Sequence, residues 1–349
     1  RRTKEWFVMK LGITGLAGAG KSTVFEAMYA NGGGARVGDR IGVVNVPDPR
    51  VDVLSGMYHP KKTTYAKVEY LLPARNNGQE KNDGEGLLRP VRNCDALINV
   101  VKNFGGNGFP APTPLHDLAK MEREMIFADF MLVEKRLERI GEDKKRGKNI
   151  DPEDARLLKA CLDVLEKNAP LRRTLELASA RELRGYQLLT AKPMLVLFNN
   201  SDEDDALPEL DGRLAGVEGM VIRGRIEREL AEMDQEEAAE FLKEFGIAAR
   251  AMDRVILRSY ALLGLISFFT VGEDEVRAWT IHQDTDAVDT AEEIHSDIKK
   301  GFIRAEVVSY TDLIAAGSHQ EARKKGTVRL EGKTYKVQDG DIINFRFNI

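Results

Sequence analysis

Cysteine is nearly missing from this chain. Among 349 residues it occurs twice, at Cys94 and Cys161, far apart and without metal-ligand spacing. That excludes a disulfide framework and a zinc site. Long apolar runs are missing too, so no segment reads as membrane-spanning. Neither sign of charge dominates: 52 Lys and Arg stand against 56 Asp and Glu, a net charge of −4. No overall basic field advertises nucleic-acid binding, and any such contact must come from local patches. His282, His295 and His319 are scattered, with no nucleophile–base pair in view. Trp6 and Trp279 are explained by packing. No internal repeat or low-complexity tract is present. Residues 1–8, RRTKEWFV, precede Met9, lack a signal-peptide apolar core and read as a non-native or upstream extension. The composition is 42% hydrophobic and 31% charged, which suits a globular protein of two or three domains in a reducing cytoplasm.

What is there is an alternation of strands and helices. MKLGIT (9–14), GVVNV (42–46), ALINVV (96–101) and MLVLF (194–198) are short, mostly continuous apolar runs. Such runs predict parallel strands covered on both faces. STVFEAMYA follows the first of them as a helix, so the chain opens as an α/β domain. Leu118, Met121, Met125, Ala128 and Leu132 then recur at helical spacing, followed by a polar tip, GEDKKRGKN (141–149). A second helix starts with Asp151 as N-cap and Pro152 at its first position, and its apolar stripe is Leu157, Leu158, Cys161, Leu162 and Leu165. Together they predict an antiparallel helical arm. Beyond residue 268, EVRAWTI predicts a strand, and Thr290 with Glu293 predicts a capping box opening a helix, TAEEIHSDIKK. In the tail Ile343, Phe345, Phe347 and Ile349 alternate with Asn344, Arg346 and Asn348, a half-buried strand. This region predicts a small α+β domain of the β-grasp type.

The chemistry-bearing motif is GLAGAGKS (15–22), in which Gly15, Gly20, Lys21 and Ser22 match G-x-x-x-x-G-K-[ST]. Backbone N–H groups must converge on phosphate oxygens, which glycines allow and side chains obstruct. Lys21 is placed to reach the β- and γ-phosphates, Ser22 to bind Mg²⁺, and the helix N-terminus favours the anion. Gly18, Ala19 and Thr23 complete the expected nucleotide-binding stretch.

From Met9 to Ile349 the chain resembles the YchF / Obg-like ATPase family. The stretches that carry the resemblance are GLAGAGKST (15–23), GVVNVPDPRVDVL (42–54), GEGL (84–87), EVRAWTI (275–281), KGFIRAE (300–306) and VQDGDIINFRFN (337–348). It implies a Ras-like P-loop nucleotide domain with a helical-arm insertion and a C-terminal TGS domain. The expected boundaries are 9–115 and 185–267 for the nucleotide domain, 116–184 for the arm and 268–349 for the TGS-like domain. It also implies nucleotide binding, usually ATP rather than GTP, and association with ribosomes.

The chain departs from that family where hydrolysis is organised. A triphosphatase of this class holds Mg²⁺ through an Asp at a strand end, within D-x-x-G. Alignment of the flanks of KVEYLLPARNNG (67–78) puts Leu72 in place of the Asp and Arg75 in place of the Gly. A literal D-x-x-G occurs later, at Asp83 to Gly86, but it follows a polar loop rather than a strand. Asp83 and Glu85 are alternative acids there. Between Thr23 and Thr63 there is no Thr to serve the first switch; NGGGARVGDRIG (31–42) offers Asp39 and glycines, with Arg36 and Arg40 as loop arginines. Asn199-Asn200-Ser201-Asp202 stands where GTPases carry N-K-x-D, so Asn199 and Asp202 are candidate nucleotide contacts. Arg223-Gly224-Arg225 lacks the small-residue pattern usual for guanine. Loss of the Asp and the Thr together predicts a hydrolysis rate lower by roughly a thousandfold.

Lys144, Lys145, Arg146 and Lys148 on the arm tip are candidate RNA phosphate contacts, with a solvated tip as the alternative; Arg323, Lys324 and Lys325 form a second small patch. Three functions follow. One is a ribosome- or RNA-associated factor that binds ATP but scarcely hydrolyses it. Another is an active Mg²⁺-dependent ATPase or GTPase that recruits Asp83, Glu85 or Asp39. The third is an interaction module built on the arm and the TGS-like domain.

Overall fold

The computed structural model describes residues 9–29, 38–74, 88–105, 111–149, 151–209, 217–245, 247 and 249–348. Asp83, Glu85, Arg36, Arg75, the glycines 32–34 and Ile349 lie outside them. The chain divides into two compact units. One takes Met9–Val43 and Glu69–Val255; the other takes Val44–Val68 and Ile256–Ile349.

In chain order the elements are β1 (Lys10–Thr14), α1 (Lys21–Met28), β2 (Arg40–Asn45), α2 (Pro49–Tyr58), β3 (Lys62–Thr64), β4 (Lys67–Leu72), β5 (Ala96–Asn103), α3 (Pro114–Lys145) and α4 (Pro152–Glu166). After these come β6 (Met194–Asn200), β7 (Glu218–Ile222), α5 (Gly224–Glu232), α6 (Gln235–Glu244) and α7 (Ala251–Leu262). The first sheet has the order β2-β4-β1-β5-β6-β7, and from β4 to β7 neighbouring strands run parallel. The α/β class is therefore as the apolar runs predict. β6 is buried at every residue and β5 at its first six. β2 does not follow: Ile41 and Val43 are exposed because the strand ends the sheet.

Helix α3 has two successive interiors. Leu118, Met121 and Met125 pack against Leu97, Val101 and Val196 of the sheet. Farther along, Val133 and Ile140 join Leu157, Leu158, Cys161 and Leu165 of α4, which forms the arm. Asp129 marks the change of partner. Its fully buried carboxylate accepts from Arg92 Nη1 (2.8 Å), the Leu189 and Thr190 amides and Thr190 Oγ1. A buried charge is tolerated when every lone pair is used in this way. Asp151 does cap α4, accepting from the Glu153 amide at 2.9 Å. The polar tip is shorter than its composition suggests, because α3 continues through Lys145. Both cysteines are free and buried, and burial pushes the Cys94 thiol up to about 12 and the Cys161 thiol up to about 11.

The other unit contains β8 (Leu265–Thr270), β9 (Glu275–His282), α8 (Ala287–Ile294), α9 (Ser296–Lys300), β10 (Phe302–Ser309), α10 (Tyr310–Ala316), α11 (His319–Lys324), β11 (Arg329–Glu331) and β12 (Asp341–Phe347). Its sheet has the order β11-β10-β12-β8-β9-β3. The edge strand β3 comes from far upstream and pairs parallel with β9. Phe268, Trp279, Val307, Ile343 and Phe345 fill one face. Helix α2 belongs here as well: Arg50 bonds both Asp48 and Asp339 and lies over the Phe269 ring. The capping box expected at Thr290 is corrected. The helix starts earlier, at Ala287, so Thr290 is a buried interior residue. A separate short helix is capped by His295, whose Nδ1 accepts from the Asp297 amide. In the tail strand Ile343 and Phe345 are buried as the alternation predicts, while Phe347 near the strand's end is exposed.

Candidate functional site

The loop between β1 and α1 leaves the sheet at the point where strand order reverses. From β1 one neighbour is β4 and the other β5, and an open parallel sheet takes its ligands beyond the carboxyl ends of its strands at such a point. Gly15 has φ +134° there, and a Cβ on it would stand 2.2 Å from the Val100 carbonyl oxygen. Gly20 has φ +93°, and its Cβ would meet Asn199 Nδ2 at 2.2 Å. No other residue type fits either place, which is why the loop is spelled with glycine. Gly20 also precedes α1 without any side-chain cap, and no acid stands in the first turn. The N–H groups of that turn are thus left for an anion.

Lys21 Nζ donates to the Gly15 and Leu16 carbonyls at 2.7 and 2.8 Å, which holds the ammonium across the loop. Ser22 and Thr23 follow in the first turn, both half-buried. Asn199, buried at the end of β6, donates from Nδ2 to the Ala19 carbonyl (3.1 Å) and accepts at Oδ1 from the Gly224 amide (3.0 Å). Both ends of its amide are used by the protein, so Asn199 positions the phosphate loop against the start of α5. Asp202 lies in the turn after β6. Its carboxylate pairs with Arg225, and its carbonyl accepts from Arg223 Nη1 at 3.3 Å. Beneath the phosphate loop a cavity of ≈ 10 Å³ is lined by Leu16, Ala17, Ala19, Asn99 and Asp117 among others. That is room for about one water and not for a nucleotide. Asn99 is buried there, with neither amide atom hydrogen-bonded.

On the other side of β1, Leu72 closes β4, buried. β4 is in parallel register with β1, Leu71 opposite Gly12, so Leu72 stands at the strand end beside the one that launches the phosphate loop. It can offer no ligand to a cation. Two residues on, the Ala74 amide donates to Asp39 Oδ1 at 2.8 Å. This brings an exposed carboxylate to the same strand end.

A protein named ribosome-binding ATPase YchF from Bacillus subtilis is 36% identical to this chain over 362 residues, covering 97% of the chain and 99% of that protein. The Escherichia coli O157:H7 protein of the same name is 35% identical over 361 residues, with 97% and 99% covered. The chain belongs to the YchF family. Among solved structures, the Schizosaccharomyces pombe YchF GTPase superposes with TM-score 0.83 at 28% identity, covering 97% of each chain. A GTP binding protein from Pyrococcus horikoshii shares the fold, with TM-score 0.61 at 21% identity. The family model YchF-GTPase_C, described as a protein of unknown function (DUF933), matches residues 265–348, from the first residue of β8 to the end of the second sheet.

Within this YchF-family chain the arm-tip cations are not alike. Lys148 pairs with Asp143 and Arg146 with Glu142, whereas Lys144 and Lys145 are exposed in the last turn of α3. The second basic patch is engaged locally: Arg323 pairs with Glu306, Lys324 with Glu321, and Lys325 Nζ donates to the Ala315 carbonyl. Two buried polar residues, one lining the cavity and one in α5, have no signature in the sequence. Asn99 sits in an apolar strand whose burial cannot be told from spacing. Glu227 reads as one of many helix acids. It is buried, and it accepts from the Ala251 and Met252 amides at 2.7 and 3.2 Å, capping α7. Burial pushes its carboxyl above the usual range against the pull of those two N–H groups.

Proposed function

We propose that this YchF-family chain binds a nucleoside triphosphate at residues 15–23, ATP in preference to GTP, associates with the ribosome or its RNA, and hydrolyses slowly or not at all. The names of its relatives, ribosome-binding ATPase and YchF GTPase, support the ligand class and the partner. The observation that carries the reading of hydrolysis is Leu72, a buried hydrocarbon at the strand end where a metal-ordering carboxylate is needed. In this reading residues 9–115 and 185–267 hold the nucleotide, 116–184 form the arm and 268–349 the TGS-like domain.

The chain's own groups divide the work. N–H groups of the phosphate loop and the first turn of α1 bind phosphate oxygens, and Lys21 leaves its loop carbonyls to neutralise the outer phosphates. Ser22 Oγ would supply one oxygen to Mg²⁺, which when bound screens charge on the outer phosphates. Nothing at Leu72 orders the cation's water, so positioning of an attacking water suffers more than affinity. Titration of ribose-labelled ATP and GTP, with and without Mg²⁺, beside a turnover assay tests this. Tight binding lost by about 100-fold in Lys21→Ala, with negligible turnover, is expected. Brisk turnover without ribosomes would defeat it.

A second reading has one observation in its favour, the Asp39–Ala74 contact at 2.8 Å. With its carboxylate held beside the end of β4, Asp39 would replace the missing ligand from the neighbouring segment, and hydrolysis would survive. Mg²⁺-dependent turnover that falls in Asp39→Asn distinguishes it.

A further inference from the structure

An ion pair joins the turn after β6 to the start of α5: Asp202 with Arg225. Asn199 ties the phosphate loop to Gly224, the first residue of α5, so the turn after β6 and the β7–α5 junction both stand at the carboxyl ends of strands on the same side as the phosphate loop. A nucleotide whose phosphates fill residues 15–23 has those two segments to meet its base. The turn after β6 presents Asp202; Arg223 follows β7 and Arg225 stands in the first turn of α5. Asp202 is 17% exposed and its partner Arg225 is 67% exposed, so the guanidinium is the group that faces outward. Arg223 holds the Asp202 backbone carbonyl as well, so the N-cap residue of α5 and an arginine of its first turn both grip Asp202.

A free carboxylate at this position offers two acceptor oxygens, which suit the N1–H and N2–H₂ donors of guanine. With Arg225 on it, the loop offers N–H donors instead. Adenine presents an acceptor at N1 where guanine presents a donor, so a donor-rich site favours adenine and meets guanine donor to donor. We propose that Arg225 is a specificity-determining residue, which occupies Asp202 and turns a loop of guanine-reading composition into one that prefers adenine. This rests on the nucleotide-binding reading above.

The test is displacement of ribose-labelled ATP by ATP, GTP and ITP, with Mg²⁺ present throughout. The unaltered chain prefers ATP. In Arg225→Ala the affinity for GTP relative to ATP rises about tenfold, as one freed charge-assisted contact allows. ITP, which lacks the N2 amine, shows a smaller gain. Adding Asp202→Asn cancels the gain. Arg225→Gln, which keeps the side chain's length, gives the same direction as Arg225→Ala and guards against a folding defect. A GTP-to-ATP ratio that moves less than twofold in both variants overturns the proposal, as does a gain that persists with Asp202→Asn. If the unaltered chain binds labelled ATP no better than Lys21→Ala does, the nucleotide reading itself is overturned and this inference with it. A Lys21-dependent site with an unmoved ratio overturns this inference alone.

Discussion

The two sheets handle buried polar groups in opposite ways. In the first sheet, among the described residues, the buried polar strand residues are neutral: Thr14, Asn99, Asn199 and Asn200. Two of these, Asn199 and Asn200, end β6, and Thr14 ends β1. In the mixed sheet the buried polar strand residues include two carboxylates, Glu306 in β10 and Asp341 in β12. Glu306 is gripped by Arg323 and Arg346, and Asp341 accepts from Tyr335 Oη (2.8 Å) and the Gln338 amide (2.9 Å). Beside a bound polyanion a buried acid is disfavoured unless a cation bridges the two, because like charges disfavour each other most where water is excluded. The mixed sheet is free of that demand and uses charge for cohesion. Leu72 belongs to this contrast, since it makes the phosphate-facing end of the parallel sheet still poorer in acids.

The contrast can be broken most sharply by Leu72→Asp. If a missing carboxylate limits the reaction, Mg²⁺-dependent turnover rises by about 100-fold while affinity for the triphosphate changes little. A thermal melt accompanies the assay, since an acid in that buried place costs about 2 kcal/mol without a cation. Unchanged turnover in a folded variant would mean that Leu72 does not limit the reaction. Asn199→Ala comes next. It deletes two buried hydrogen bonds that hold the phosphate loop, with an expected loss of about 2 kcal/mol in urea unfolding and weaker triphosphate binding. An effect on stability with none on binding would reduce Asn199 to a fold residue.

The smallest effect belongs to the mixed sheet and carries a pH signature. Burial pushes the Glu306 carboxyl up, but the hydrogen bonds and charges of Arg323 and Arg346 outweigh it, so its pKa lies below the usual carboxylate range. A carboxyl with a depressed folded-state pKa stabilises above its unfolded pKa and loses that contribution as pH falls through the folded value. The unaltered chain should therefore lose thermal stability on acidification below the ordinary glutamate range, and Glu306→Gln should flatten that part of the profile. At neutral pH the cost is about 1 kcal/mol, discounted because both arginines are more than one-third exposed. An identical acid limb in both proteins would remove Glu306 from the account.

Much of the fold was legible because its signals are local. The phosphate loop declares itself in eight consecutive residues, since only glycine tolerates the φ of Gly15 and Gly20 and the nearness of Val100 and Asn199. Asp151 capped its helix as read, because a cap is decided by three or four neighbouring residues. Thr290 misled for the same reason: a local capping pattern was present, but Ala287 and Ala291 were needed in the core and drew the helix start upstream. The apolar composition of β2 gave no sign of its edge position, because the place of a strand in a sheet depends on which partners arrive from far along the chain.

By itself the sequence determined the α/β class, the glycine-rich phosphate loop and the arm, all of which rest on the chemistry of single residues or on short periodicities. Tertiary structure alone decided that Asn199 spends both ends of its amide on the protein, that Asp202 is taken by Arg225, and that Asp39 arrives beside the end of β4. Those are meetings between residues roughly 20 to 180 positions apart. Hydrogen bonds and ion pairs depend on distance and direction, which a linear order of residues does not contain.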